Sequence, residues 1–396
     1  MFSRFLWCLV VTSAFGSIRG DGDVFTKVAD TSTVAPGTAR RFFSFAGEPG
    51  NEFPVDPSLD NGYVTFTAHS NQFGVYLWYD GVLSTIADYT TPVPNGSGTF
   101  TAFRTPSASG SNVAFRGFSN GNRDEGVYLS AGGSLQRVAD PATTLPGNGK
   151  FVAASLTPIG GTDVYFENEG QGVYRFHDGA LSVVADVHTP IPGGTGNFSS
   201  LNSDLAGRNG NIAFFAVGAN RASGIYAFTG GSLVRVADTT TPLPGGSGHF
   251  LGFNNIAIGS NENTVAFEAL DGSSNWGIYA STDGVIRKIT DSQIPEDQIN
   301  GLLLSVGDGH LAYEANGVIY SDLSGTLRRT VGPGDVILGR TVDGVGMGPD
   351  ALSGNQIVFS ATFRDGSSGI YLVPEPSSLA TIALGALGVL AGRRRR

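Results

Sequence analysis

Six aspartates close a recurring tripeptide of Val or Ile, Ala or Thr, and Asp: Val28-Ala29-Asp30, Ile86-Ala87-Asp88, Val138-Ala139-Asp140, Val184-Ala185-Asp186, Val236-Ala237-Asp238 and Ile289-Thr290-Asp291. Successive aspartates stand 58, 52, 46, 52 and 53 residues apart. Calcium takes several carboxylate and carbonyl oxygens, so a ring of such side chains has the right chemistry for it. The surroundings point elsewhere. Asp238 is followed by threonines, Asp140 by Pro141, and the chain has no Asp-x-Asp-x-Asp run. An aspartate that ends a strand before a Thr/Pro loop accepts hydrogen bonds from backbone N–H groups just downstream, as an Asx turn. The spacing therefore predicts structural aspartates.

The remaining reactive types are scattered. His69, His177, His188, His249 and His310 fall in different repeat units with no HExxH or His-x-His spacing, so no zinc set is expected. A loose Gly-x-Ser-x-Gly around Ser107 to Gly110 lacks the strand-then-helix context of a nucleophile elbow. Asp124-Glu125 and Glu167 with Glu169 have the residue types of a glycosidase pair, but their adjacent or alternating places in glycine-rich turns predict solvated side chains. No cofactor is expected. The polar residues best placed for recognition are Asn120, Arg123, Asp124, Asn220, Arg221, Trp276, Arg364 and Asp365. Amides, carboxylates and arginine forks beside an aromatic suit a glycan or peptide.

These residues must be held by the repeat. A period near 50 signals a solenoid, propeller or array. After Asp238 come a Thr/Pro/Gly loop (TTTPLPGGSG), an apolar segment Phe250 to Ile258, then Thr264 to Leu270, Gly277 to Ser281 and Val285 to Asp291. Each run is short, rich in Val, Ile, Phe and Tyr, and bounded by Gly, Asn or Asp, which is strand and turn chemistry. The third and fourth strands of each unit meet at Asp80-Gly81, Gly132-Gly133, Asp178-Gly179, Gly230-Gly231, Asp283-Gly284 and Ser324-Gly325, as in two-residue hairpins with positive φ. Four antiparallel strands per unit make a propeller blade.

The first tripeptide, on a strand from Asp23 to Asp30, precedes any complete unit, and the last unit ends at Gly369 to Val373 with only three strands. Pairing the two closes an all-β, seven-bladed β-propeller and removes its free sheet edges. In such a meander the loop after the fourth strand and the loop between the second and third open on one face. Here those are the long loops, and they carry the recognition candidates named above. The second strands, such as Asn112-Val-Ala-Phe115 and Asn355-Gln-Ile-Val-Phe359, resemble a family named for a tandem NxxGxxAF repeat, from roughly Phe42 to Val373, with the glycine often displaced. That resemblance implies no activity.

The two ends read as addresses. Residues 1–20 have Arg4, an apolar stretch from Phe5 to Phe15 and small residues at Ala14, Gly16 and Ser17, as in a signal peptide cut by signal peptidase. The only cysteine, Cys8, lies in this segment, so the exported chain is expected to lack thiols and disulfides. At the other end, Val-Pro-Glu-Pro-Ser-Ser precedes an apolar run from Leu379 to Gly392 and then Arg393, Arg394, Arg395 and Arg396. That run reaches only ~21 Å as a helix against a ~30 Å hydrocarbon core, so it needs its flanks to span. Each arginine costs ~2.5–3.5 kcal/mol at a helix centre, so the four should remain cytoplasmic and stop transfer. With Pro374, Glu375 and Pro376 as its motif, the tail resembles the PEP-CTERM sorting signal. The resemblance implies cutting by an exosortase and passage to the cell surface or extracellular matrix. The domain reading is signal peptide 1–20, propeller 21–373 and sorting signal 374–396.

The chain carries 24 Lys+Arg against 34 Asp+Glu, a net charge of −10, and becomes more acidic once Arg4, Arg19 and the terminal arginines are set aside. Such a surface repels nucleic acid and anionic lipid. Two functions fit. One is a non-catalytic surface or matrix protein that binds polysaccharide or an envelope protein. The other is an extracytoplasmic glycan hydrolase or lyase using acidic residues of the long-loop face.

Overall fold

The structure, a computed structural model, describes residues 25–45, 57–147, 149–218, 221–259, 264–291 and 303–374. The signal segment, Asn220, Glu375, Pro376 and Arg393 to Arg396 lie outside the described residues, as does the segment expected to enter the membrane. No helix of the described residues is long and apolar enough to cross one.

Seven antiparallel sheets make the blades of a β-propeller. Blade 1 comprises Ser58–Asp60, Tyr63–His69, Phe73–Tyr79 and Val82–Asp88. Blade 2 comprises Ala102–Ser109, Asn112–Ser119, Asp124–Ala131 and Ser134–Ala139. Blade 3 comprises Ile159–Gly160, Asp163–Asn168, Gly172–His177 and Ala180–Asp186. Blade 4 comprises Phe198–Arg208, Asn211–Gly218, Ser223–Thr229 and Ser232–Asp238. Blade 5 comprises Gly252–Ile258, Thr264–Leu270, Trp276–Thr282 and Val285–Asp291. Blade 6 comprises Leu303–Gly307, His310–Ala315, Val318–Ser321 and Arg328–Val331.

Blade 7 closes the ring. Its inner strand is broken into Arg340–Gly346 and Leu352–Ser353, followed by Gln356–Phe363, Ser368–Pro374 and, as outer strand, the N-terminal Thr26–Asp30. The closing pair is antiparallel, with Thr26 opposite Leu372 and Asp30 opposite Gly369. One expected hairpin differs: Ser324-Gly325 lies within the longer connection between Ser321 and Arg328, because only Gly325 of that pair takes a positive φ.

The tripeptide now has a physical account. In each blade the register between third and outer strands slips by one residue, which leaves Ile86, Val138, Val184, Val236, Ile289, Thr330 and Val28 as the extra residue of a β-bulge, six of them the first residue of the tripeptide. The bulge re-aims the strand so that the following alanine turns inward. Ala29, Ala87, Ala139, Ala185 and Ala237 are all wholly buried. Across the same pair, a Gly-Val/Ile-Tyr run folds its tyrosine back over the glycine. A Cβ on Gly126 would come 2.7 Å from the Tyr128 hydroxyl, and one on Gly369 would come 2.9 Å from that of Tyr371.

Apolar layers fill the space between successive blades. One joins Val75, Phe100 and Phe115 between blades 1 and 2, and another joins Phe25, Phe42, Phe359 and Leu372 across the closing blade. A phenylalanine at the head of the inner segment anchors most layers. Phe42, Phe100, Phe198 and Phe250 sit edge-on to Tyr76, Tyr128, Tyr226 and Tyr279 at 4.8–4.9 Å. Burying each ring stabilises the fold by about 1.5–3 kcal/mol.

Candidate functional site

Five recurring aspartates, Asp30, Asp88, Asp140, Asp186 and Asp238, cap the loops that follow them. Asp238 Oδ1 accepts from the Thr240 N–H at 2.9 Å, the Thr240 hydroxyl at 2.7 Å and the Thr241 hydroxyl at 3.1 Å, while Arg235 donates to Oδ2 at 2.7 Å. Asp88 and Asp186 hold their loops the same way through Thr90, Thr91, His188 and Thr189. Burial works to raise the Asp238 pKa, but the Thr240 and Arg235 bonds outweigh it and hold the carboxyl below its ordinary value. Asp30 behaves alike, its burial outweighed by Ser32, Lys27 and Thr33. Among the described residues no group of three or more His, Cys, Asp or Glu is placed to hold a metal ion.

Past each cap the Thr/Pro/Gly loop forms a miniature hairpin. The Val93 N–H donates to the Gly98 carbonyl at 3.1 Å and the Phe100 N–H to the Thr91 carbonyl at 3.2 Å, and the same bonds recur from Ile191, Phe198, Leu243 and Phe250. Pinned by an Asx turn at one end and a buried phenylalanine at the other, these loops present fixed walls.

Between two such loops of blades 1 and 2 lies a recess of about 780 Å³. Its walls are the Val93–Thr99 hairpin, Ser119 to Gly121, Asp124, Glu125, Tyr128, Arg137 and Asp140 to Ala142. Asn120 and Asp124 are exposed at its edge. Thr101 bridges the walls by donating to Asn122 Oδ1 at 2.7 Å. Arg137 donates to Asp140 at 2.5 Å and to the Asn95 carbonyl at 3.3 Å. The Tyr128 hydroxyl is pushed up to about 12, first by burial and then by Asp140, so it remains a protonated donor at neutral pH.

Of the eight recognition candidates, the structure brings Asn120 and Asp124 into this recess. Arg123 is exposed on the same loop, with its N–H donating to the Ser119 carbonyl, but is not part of the wall. Arg221 is exposed on a turn of blade 4, and Trp276 begins the third strand of blade 5. Arg364 and Asp365 lie on blade 7, where Asp365 caps the Ser367 N–H at 2.9 Å. The candidates are thus spread over four blades.

Of the paired carboxylates, Asp124 and Glu169 are exposed as expected, and the other two differ. Glu125 is not solvated: its Oε1 accepts from Arg116 Nε and the Ala154 N–H, both at 2.9 Å. Glu167 is 2% exposed and accepts from the Gly170 N–H, and burial raises its pKa. Ser107 and Ser109 lie in the inner strand of blade 2, bonded to Asp350 and to the Gly161 N–H, so the loose serine motif is a strand and not an elbow. Sequence reasoning missed Tyr128 and Arg137. The Gly-Val/Ile-Tyr recurrence and an arginine three residues before the capping aspartate were the available signals.

A void near the axis is far smaller. Pro57, Pro106, Pro158 and Pro349 crowd a void of only about 30 Å³, room for a water or two. Arg208, 5% exposed, spans the axis from blade 4 and donates to the carbonyls of Leu352 and Leu59. Burial raises the pKa of neighbouring Asp350, offset in part by Arg208 and by the Ser107 hydroxyl at 2.9 Å.

Residues 19–320, most of this body, match the family of unknown function DUF7453. The chain belongs to that family. The match does not confirm the likeness of the second strands to the NxxGxxAF repeat. Residues 372–396 match the PEP-CTERM protein-sorting motif. This DUF7453 protein is therefore exported, anchored in the membrane by its C terminus before exosortase processing, and afterwards at the cell surface or extracellular. No curated protein is similar in sequence.

Among solved structures, polysaccharide lyase Uly1 is similar at 10% identity and a TM-score of 0.46, over 89% of this chain and 98% of that one. The computationally designed Ika8 protein is similar at 14% identity and a TM-score of 0.42, over 90% and 99%. The GH74 xyloglucanase from Xanthomonas campestris is similar at 13% and 0.41, over 78% of this chain and 52% of that one. Likeness at this level carries nothing about chemistry.

Proposed function

We propose that this chain is a non-catalytic binding protein of the cell surface or extracellular matrix, whose long-loop face takes extracellular polysaccharide in the recess between blades 1 and 2. In this reading residues 1–20 are a signal peptide, 21–373 the binding propeller and 374–396 the sorting signal. The recess carries the proposal. Its volume lies within the range of ligand pockets, and its walls offer hydroxyls, amides and a carboxylate, backed by the buried Tyr128. Hydroxyl-rich sugars are recognised by such mixed donors and acceptors.

The hydrolase or lyase reading has less support. Acid–base cleavage of a glycosidic bond uses two available carboxyl groups. In the recess Asp140 is engaged by Arg137, Ala142 and Thr143, and Glu125 by Arg116 and Ala154, which leaves Asp124 alone. A glycan array probed with the full chain in detergent tests the proposal, with calorimetry on each hit. Binding without turnover that weakens at least tenfold in Asn120→Ala/Asp124→Ala supports it. Hits bound equally by wild type and the double variant refute it, and glycan consumption lost in Asp124→Asn establishes the rival.

A further inference from the structure

The strand directions fix which face of the ring looks at the membrane. In blade 7 the third strand starts with Ser368 opposite Thr362, beside the long loop at Arg364 to Ser367, and ends with Pro374 opposite Gln356, beside the two-residue turn Gly354-Asn355. The chain therefore leaves the propeller on the face of short hairpins. The N-terminal strand is antiparallel to it and begins at Thr26 opposite Leu372, so it enters on that same face.

The distance to the anchor is short. Pro374, the first residue of the sorting motif, is still paired in the sheet. Only residues 375–378 separate it from the apolar run that begins at Leu379. Four residues reach at most ~14 Å when fully extended. The opposite face lies one strand further away, about 23 Å for seven residues at ~3.3 Å each.

The hairpin face is also acidic. Its turns carry Asp80, Asp178, Asp283, Asp308 and Asp322, and among the described residues they carry no lysine or arginine. Anionic lipid repels such a surface, so it does not adsorb flat. We infer that the anchored precursor stands with its hairpin face toward the lipid headgroups, held off by charge on a short tether, and with its long-loop face turned outward. The recess between blades 1 and 2 then opens away from the membrane, whatever it binds. The processing enzyme must work in the narrow gap beneath the ring.

The test uses the full chain with Cys8→Ser, which removes the single cysteine, and one new cysteine at a time. Ser111→Cys and Thr162→Cys report the hairpin face, and Lys150→Cys and Ser273→Cys the long-loop face; all four positions are exposed. Each dye-labelled protein is reconstituted into phosphatidylethanolamine/phosphatidylglycerol vesicles carrying a headgroup energy acceptor in the outer leaflet. Transfer should be about twofold or more higher from positions 111 and 162, given the ~23 Å between faces. A Gly-Ser spacer of about 20 residues inserted between Ser378 and Leu379, with an end-to-end distance near 25 Å, should erase the difference. Equal transfer from both faces, or the reverse order, overturns the orientation. A difference that survives the spacer overturns the tether as its cause. Near-UV circular dichroism shows whether each variant is folded, and no ligand is involved, so failure here is distinct from failure of the polysaccharide reading.

Discussion

Replacing Glu268 by glutamine separates the ionisation of one buried carboxyl from its shape. Glu268 is fully buried in the second strand of blade 5. Its Oε2 accepts from Asn255 Nδ2 at 2.9 Å and Asn254 Nδ2 at 3.4 Å, while its Oε1 is buried without a partner. Burial raises its pKa, and the two asparagine bonds only partly oppose this. Between the ordinary value of 4.5 and the raised folded value, the native state therefore holds more protons than the unfolded chain. Stability falls as pH rises through that window and stays low above it. Below the window both states are protonated and the penalty vanishes. Glutamine has the shape of the protonated acid and cannot ionise. Glu268→Gln should match wild type near pH 4 and exceed it near pH 7.5 by about 1–3 kcal/mol, the order of the extra cost of holding a charged rather than a neutral group in a buried site. At ~2.1 cal/mol/K per residue, a body of roughly 350 residues shifts by about 1.4 °C per kcal/mol, so Tm should rise by about 1–4 °C. Scanning calorimetry at the two pH values reads the difference directly. An equal increment at both, or a less stable variant near pH 7.5, would refute the account.

Four further outcomes follow from the same geometry. Arg208→Met removes the cation that spans the axis, leaves the Leu352 and Leu59 carbonyls unpaired and strips buried Asp350 of its neighbouring positive charge, so urea unfolding should show a loss of about 3–5 kcal/mol. Gly126→Ala forces a Cβ against the Tyr128 hydroxyl and should cost about 1–3 kcal/mol in the same assay, whereas Gly133→Ala, with nothing near its Cβ site, pays only for its positive φ. Asp238→Ala loses three loop-capping bonds and the Arg235 pair for a cost of about 1–2 kcal/mol, while millimolar calcium or chelator leaves the wild-type Tm unchanged. Deleting Thr26–Asp30 exposes the edge of Ser368–Pro374, and size-exclusion chromatography should show oligomers in place of monomer.

The architecture was legible because it repeats. Each Asp-Gly or Gly-Gly step marked a hairpin, and the surplus strand ending at Asp30 matched the fourth strand missing after Ser368–Pro374. The tripeptide was visible as a period but not as a bulge, because a one-residue slip shows only in how two strands pair, which the pattern along one strand does not encode. The site was less legible for a related reason. Asn120 and Asp124 are close in sequence and meet in space, whereas Tyr128 and Arg137 reach the recess through strand pairing, and the hairpin at Val93 comes from the preceding blade. Glu125 and Glu167 looked solvated because they neighbour glycine-rich turns; alternation along the strand sends them inward instead, where Arg116, Ala154 and Gly170 meet them.

Ala29 and Ile370 are sheet neighbours separated by almost the whole chain. A protein that emerges from its export channel N terminus first presents the first of these long before the second. Until Gly369 to Leu372 appear, the nascent molecule is an open horseshoe with two raw edges. The stretch that seals it is followed within a few residues by the one that moors it, so the ring cannot close until the chain is almost at its mooring.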